Sequence, residues 1–539
     1  MKMPAVRKTD ITFALIFITY SVYAASFIYR TSFVIDGMRY YSLFDDAMIS
    51  MRYAENLVEG YGLVWNPGGE RVEGFTNPLW VLYMSIFHLF PIASSKISLF
   101  IQMSGALFLM ANLIFVKKIA DLIADHATFF SFSAVLLTAF YLPLNNWSLQ
   151  GMEVSVLTLL ISISILKTLQ SIKREKFSFW PYILLGVGTV VRMDMVIPYL
   201  AIWLFLSFAD PKNRGKNFAY GLLILLSFIL VQTIFRIWYY GEVLPNTFYL
   251  KMTGYPILLR IGRGFVVTYQ FISRMSVLVF LIPFSLLFFR RDKFILTLFV
   301  VFLAQMAYSI YVGGDAWEYW GGSNRYVSIV MPIFFILFCG SLAAFEKRLL
   351  KNVNRTKSFA KVWPRFITIV ILLISIVKFN VIYSPYATLQ EWLLLKPPLA
   401  VTDNEEMVKS GLLLKEITDP EAKVAVVWAG AIPYFSGRQS VDLLGKNDKT
   451  IARMDACVPE GPGEYTAFYP GHLKWNYDYS IEELKPDVIA QLYGVETEEI
   501  EPYLEVDYCK VLIEGFVLHL RVESNWINWE KVEILRSVM

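Results

Sequence analysis

The sequence predicts an α-helical polytopic membrane protein of about eleven transmembrane helices, followed by a soluble α/β domain. Its 539 residues are 56% hydrophobic and 17% charged, with a mean hydropathy of +0.49, which is too apolar for a soluble chain of this length. Runs such as ITFALIFITYSVYAASFIY from Ile11 and LLILLSFILVQTIFRIWYY from Leu222 reach the ~20 apolar residues that a hydrocarbon core demands. Near residue 385 the composition changes. Asp, Glu, Pro and Gly become frequent there, and short β-rich runs (AKVAVVWAG, DYCKVLIEGFVLHLRV) alternate with helical ones (NEEMVKSGLLLKEI), the pattern of a small α/β fold.

The membrane domain is assigned to residues 1–384, with a first outer loop at 30–78, and the soluble domain to 385–539. Spans are expected near 11–29, 97–116, 127–144, 152–170, 179–191, 195–209, 218–240, 265–289, 294–311, 326–346 and 366–384. Short loops rich in Lys and Arg stay in the cytoplasm. With these spans, the N-terminus (Lys2, Arg7, Lys8), 116–118, 173–176, 210–216, 290–293 and the stretch ending at Lys357 all fall inside. The odd number of crossings then puts everything after Tyr383 outside. No small-residue cleavage site follows the first apolar run, so it is read as an uncleaved span. LWVLYMSIFHLF at 79–90 is too short for a span and is expected to lie at the interface or re-enter.

Composition also narrows the function classes. Lys and Arg sit in short loops and form no basic face with interleaved aromatics, so nucleic acid is not an expected partner. Cys339, Cys457 and Cys509 have no CxxC spacing; a Cys457–Cys509 disulfide and two separate thiols are both open. His88, His126, His472 and His519 show no metal-ligand spacing. Hard cations take carboxylate oxygens, so a divalent ion between Asp45, Asp46 and Glu153 stays open as well.

The most informative stretch follows the first span. Asp45 and Asp46 open the segment DDAMISMRYAENL, where Asp is favoured as a helix cap. The loop behind them is crowded with Trp65, Asn66, Pro67, Gly68, Gly69, Arg71, Glu73, Thr76, Asn77 and Pro78, a mix of turn formers and polar groups that reads as the wall of a site. Polar groups recur at the other outer ends: Glu153, then Arg192 with Asp194, Asn246 with Lys251, and Asp315 with Arg325. Ionisable residues at membrane depth are costly and mark substrate paths or partners. His472, in the aromatic loop AFYPGHLKWNYDY, is a candidate for stacking on a sugar ring, with ordinary packing as the alternative.

A carboxylate beside cations at the membrane rim suits a reaction in which an acceptor hydroxyl loses a proton while a lipid phosphate leaves. The carboxylate serves as general base, and Lys251 and Arg325 stabilise the charge that builds on the phosphate. The outside of a membrane holds no nucleotide sugars, and the sequence contains no GxxxxGK[ST] loop, so a lipid-anchored donor is the economical supply.

FDDAMISMRYAENLVEGYGLVWNPGGERVEGFTNPLW, VGGDAWEYWGGSNRYVSIVMP and WAGAIPYFSGRQSVDLLGKNDKTIAR, continuing to FYPGHLKWNYDY, resemble the GT-C glycosyltransferases, and within them the AftB-type terminal arabinofuranosyltransferases of mycobacterial cell walls and their bacterial relatives. The resemblance implies inverting transfer of a sugar from a polyprenyl-phosphate donor to a cell-envelope glycan or glycolipid, at the outer face of the bacterial cytoplasmic membrane. It implies a base in the first outer loop, Asp45 or Asp46, with Asp45 preferred because the class usually places the base first in its acidic pair. Gly313, Gly314 and Asp315 are implied to lie at the same cavity. Arabinofuranose, another pentose and a hexose are all open as the sugar. The rival readings are a transporter or flippase, which would bury charge at the midplane on broken helices, and a non-catalytic envelope-assembly protein.

Overall fold

The structure is a computed structural model that describes residues 8–124, 127–318, 323–351, 358–380, 385–458, 461, 464–493 and 497–537. Lys2, Arg7, His126, the segment 352–357, Tyr383 and the expected domain boundary at 384 lie outside the described residues.

Apolar run length dictates the membrane part, and over its described residues each expected span falls mainly on helix. Among the described residues six helices are long and apolar enough to cross a bilayer: Ile11–Arg30, Ser94–Ile123, Val154–Arg174, Arg214–Tyr240, Lys293–Tyr311 and Val362–Asn380. Two further spans arise if each bent pair counts as one. Thr128–Ala139 with Leu142–Leu149 bends by 48°, and Ile257–Met275 with Val277–Phe289 bends by 98° at Ser276, whose φ of 82° breaks the helical path. Trp180–Val191 and Met193–Ala209 are shorter apolar helices, and Met331–Lys351 carries its charges at its C-terminal end. Pro78–His88 is a helix of 11 residues, about 16 Å long and short of the ~30 Å core. The protein is a multi-pass membrane protein.

Between the first span and the acidic helix the chain forms a hairpin that the hydrophobic pattern does not announce. Strand β1 (Ser32–Ile35) pairs antiparallel with β2 (Met38–Tyr41), joined by Asp36-Gly37 with φ of 48° and 75°. Two consecutive positive-φ residues are what a two-residue turn matched to strand twist requires. The helix that follows runs from Asp45 to Val58. Phe44 is its N-cap, and no side chain caps it by a hydrogen bond, so the aspartate pair lies inside the first turn rather than before it.

The C-terminal part contains the expected α/β fold. Strands β3 (Lys423–Val426), β4 (Gln439–Asp442), β5 (Val488–Ile489), β6 (Tyr508–Ile513) and β7 (Phe516–Arg521) form one sheet in the order β4-β3-β5-β7-β6. β3 runs parallel to β4 and β5, while β7 runs antiparallel to β5 and β6. β3 is buried through Val424, Ala425 and Val426, as suits a central strand covered on both faces. Cys457 and Cys509 are not joined by a disulfide.

This sheet domain docks on the loop at residues 59–77 through polar groups that the turn-rich sequence supplies. Trp65 Nε1 donates to the Ala429 carbonyl at 3.0 Å, and Asn66 exchanges two hydrogen bonds with Ser440 at 2.8 and 3.0 Å. Part of the loop expected to wall a site is therefore a clamp for the second domain.

Candidate functional site

A cavity of about 360 Å³ lies where the acidic helix, the membrane helices and the sheet domain meet. Eight of the thirteen residues singled out from the sequence line it: Asp46, Asn77, Glu153, Arg192, Asp194, Lys251, Asp315 and Arg325. Asp45, Arg71, Glu73, Asn246 and His472 do not.

The polar lining divides into two groups. In the first, Arg192 bridges Glu153 Oε1 at 2.9 Å and Asp194 Oδ1 at 2.6 Å, and Asn77 Nδ2 donates to the other Glu153 oxygen at 3.0 Å. Two carboxylates share one guanidinium, so this side carries a formal charge of −1. In the second, Arg325 contacts Asp46 Oδ2 at 3.1 Å and Asp315 Oδ2 at 2.7 Å, and Lys446 Nζ meets Asp46 Oδ1 at 2.9 Å. Lys251 lines the same wall and has no ion pair among the described residues. Three cations face two carboxylates, so this side carries +1 and is suited to an anion.

Local backbone explains the placement of Asp315. Gly313 and Gly314 have φ of 83° and 74°, and a Cβ on Gly314 would lie 2.2 Å from Glu318 Oε1. Only glycine fits there. Arg263 donates to the carbonyls of Gly313 and Asp315, which fixes the turn and turns the Asp315 carboxylate towards Arg325. Residues 319–322, between Asp315 and Arg325, lie outside the described residues.

The two aspartates of the first turn face different surroundings because neighbours in a helix point about 100° apart. Asp45 is buried against the sheet domain, its Oδ1 accepting the Ala431 N–H at 2.8 Å. Burial pushes its pKa up to about 6, against the opposing pull of Lys446. Burial acts on Asp46 in the same sense, but Lys446, Arg325 and Lys251 outweigh it and hold the carboxyl well below the usual range. Lys251 is pushed down to about 8 by burial and by Arg325.

The remaining expected residues have structural partners. Arg71 stacks over the Tyr239 ring at 4.6 Å, and Glu73 pairs with Arg236 Nε at 2.7 Å in a buried contact. Asn246 donates its amide to the carbonyls of Gly445, Lys446 and Asp448 at 3.0, 3.0 and 3.1 Å. His472 packs edge-on against Trp317 at 5.6 Å, and burial together with Lys446 and Lys251 lowers its pKa to about 3, so the ring is neutral. Lys446 was not singled out from the sequence, although its segment LLGKND lies within a quoted motif; nothing local marks a lysine that acts 400 positions away.

Among the described residues no three His, Cys, Asp or Glu side chains gather to hold a metal ion. Asp45, Asp46 and Glu153 turn to separate partners, so they do not fit a cation shared by all three.

Residues 399–534 match a family described as a domain of unknown function, DUF8728. No curated protein matches the sequence. Among solved structures, ArnT from Cupriavidus metallidurans bound to undecaprenyl phosphate is similar with a TM-score of 0.51 at 12% identity, over 95% of this chain and 98% of that one. The Archaeoglobus fulgidus oligosaccharyltransferase is similar with a TM-score of 0.54 at 10% identity, over 96% and 75%. AglB from the same organism, in complex with an inhibitory peptide and a dolichol-phosphate, gives 0.53 at 11%, over 88% and 69%. These likenesses establish the fold, which is the expected GT-C fold with a sheet-containing C-terminal domain.

Proposed function

We propose that this protein is an integral-membrane glycosyltransferase that moves a sugar, with inversion, from a polyprenyl-phosphate donor to a cell-envelope glycan or glycolipid. The observation that carries the reading is Asp46, a cavity carboxylate flanked by Arg325 and Lys446 with Lys251 beside it. Lys251 and Arg325 hold the donor phosphate, and Asp46 accepts the proton of the acceptor hydroxyl. The hydroxyl oxygen bonds to the anomeric carbon from the face opposite the phosphate, the bond from that carbon to the phosphate oxygen breaks, and polyprenyl phosphate leaves. The Glu153–Arg192–Asp194 side offers acceptors for sugar hydroxyls.

Asp46 is preferred to Asp45 as the base because it lines the cavity. Asp45 is the positioning group that ties the acidic helix to the sheet domain through Ala431. Arabinofuranose is the sugar suggested by the AftB-type motifs, with other pentoses and hexoses as competitors. The membrane is the bacterial cytoplasmic membrane, with the N-terminus inside and the sheet domain and cavity outside, as the positive loops favour.

The test is to incubate the purified protein with polyprenyl-phosphate sugars and envelope glycan fragments and to follow release of polyprenyl phosphate by mass spectrometry. Acceptor-dependent release from one donor supports the reading. Binding of donors without turnover, across a panel that includes pentoses and hexoses, counts against it.

A further inference from the structure

The lysine contributed by the sheet domain is built into place with unusual care. Asp442, at the end of β4, accepts hydrogen bonds from the backbone N–H of Leu444 at 3.1 Å and of Asn447 at 2.8 Å, and from the Asn447 amide at 2.9 Å. Gly445 turns the chain at a φ of 76°, where a Cβ would lie 2.7 Å from Ile451 Cγ2. From the membrane side, Asn246 holds three carbonyls of this loop, and Tyr53 of the acidic helix donates to Asn447 Oδ1 at 3.0 Å. Elements from both domains thus fix Lys446, only 4% exposed, with its ammonium on the cavity wall.

A buried ion pair is poor glue, because desolvation cancels much of its attraction. Fixing this one from both sides is costly unless the ammonium does something else. Lys446 and Arg325 take one oxygen each of Asp46, and a carboxylate so neutralised is a weak base. An incoming phosphate offers the same cations a second anion.

We propose that Lys446, from the C-terminal domain, is a phosphate-binding residue of the site, and that it exchanges Asp46 for the donor phosphate so that Asp46 Oδ1 is freed to take the acceptor proton. The proposal rests on the glycosyltransferase reading above. It makes base strength conditional on donor binding: the anion that must be present is what uncovers the base. The reaction balance is unchanged. The acceptor proton passes to Asp46, the anomeric carbon changes oxygen partners, and Lys446 stabilises the phosphate that departs.

The experiment measures binding of undecaprenyl phosphate, with undecaprenol as the uncharged control, to the full-length protein in detergent. It compares wild type, Lys446→Gln, Asp46→Asn and the double variant. The glutamine keeps a hydrogen bond to Asp46 while removing the charge. Wild type is expected to prefer the phosphate, and Lys446→Gln to lose about tenfold in affinity, the scale of one charge-assisted contact. Asp46→Asn, which releases Lys446 from its partner, is expected to bind more tightly than wild type, and Lys446→Gln to cost more in that background than alone.

If Lys446→Gln changes nothing in the Asp46→Asn background while the phosphate is still preferred to the alcohol, the Lys446 proposal is overturned and the glycosyltransferase reading stands. If neither wild type nor Asp46→Asn distinguishes the two lipids, that reading falls and the Lys446 proposal with it. Should Lys446→Gln not fold, wild type and Asp46→Asn decide the matter, and binding to Asp46→Asn no tighter than to wild type overturns the exchange.

Discussion

Lys446 Nζ lies 2.9 Å from Asp46 Oδ1, across 400 positions of sequence and between two domains. The contact makes the acidic helix and the sheet domain parts of one site.

Lys251 lines the cavity without an ion pair among the described residues, so its removal strands no buried carboxylate. Lys251→Met is expected not to lower thermal stability, because the burial that holds this lysine down to about 8 disfavours its charged form in the folded protein. Affinity for undecaprenyl phosphate should fall about tenfold. Melting and lipid titration on the same preparation check both halves, and a large stability loss with unchanged affinity would make Lys251 structural.

Arg192 behaves in the opposite way. It is the one guanidinium between Glu153 and Asp194, both almost fully buried. Arg192→Met leaves two buried carboxylates uncompensated, and a loss of about 3 to 5 kcal/mol is expected. Thermal unfolding in detergent measures it, and adding Glu153→Gln to the variant should restore part of the loss.

Asn246 was expected from sequence to touch substrate, but its amide holds three carbonyls of the loop that carries Lys446. Asn246→Ala should therefore cost about 1 to 3 kcal/mol of stability from unsatisfied carbonyls and weaken donor affinity through Lys446. Asn246→Ala combined with Lys446→Gln should lose no more affinity than Lys446→Gln alone, and additive losses would argue for direct contact of Asn246 with the donor.

Asp45 supplies a pH signature. Its folded pKa is raised to about 6 by burial, above the ordinary aspartate value of 3.8, so the native state binds this proton more tightly than the unfolded chain does. A raised carboxyl makes stability fall as pH rises from about 4 to 6 and level off above, a swing of roughly 3 kcal/mol at most. Asp45→Asn removes that term. The difference in Tm between Asp45→Asn and wild type should move in favour of the variant from pH 4 to pH 7 and stay flat above; a difference independent of pH would contradict the assignment.

What could be read from sequence, and what could not, follows from distance along the chain. Apolar run length located the helices, including Ser94–Ile123 and Arg214–Tyr240, because the bilayer sets that length locally. The α/β character of the last domain was legible in the alternation of β-rich and helical runs. Which of Asp45 and Asp46 lines the cavity depends on the phase of a helix whose first residue is one of the pair, and no local pattern fixes that phase. Trp65 and Asn66 looked like a site wall because clamp and wall draw on the same residues; only the partners Ala429 and Ser440 tell them apart. Lys446 was invisible for the same reason, its ion-pair partner being a carboxylate 400 positions away.

The most direct test of the account is consumption of a polyprenyl-phosphate sugar by wild type, Asp46→Asn and Asp45→Asn, each shown to be folded by its melting curve. Turnover by wild type is expected, with a loss of about 10² to 10⁴ in rate for Asp46→Asn and retention of most activity by Asp45→Asn. Turnover by Asp46→Asn at the wild-type rate would contradict it, since the carboxylate between Arg325 and Lys446 would then not be the base.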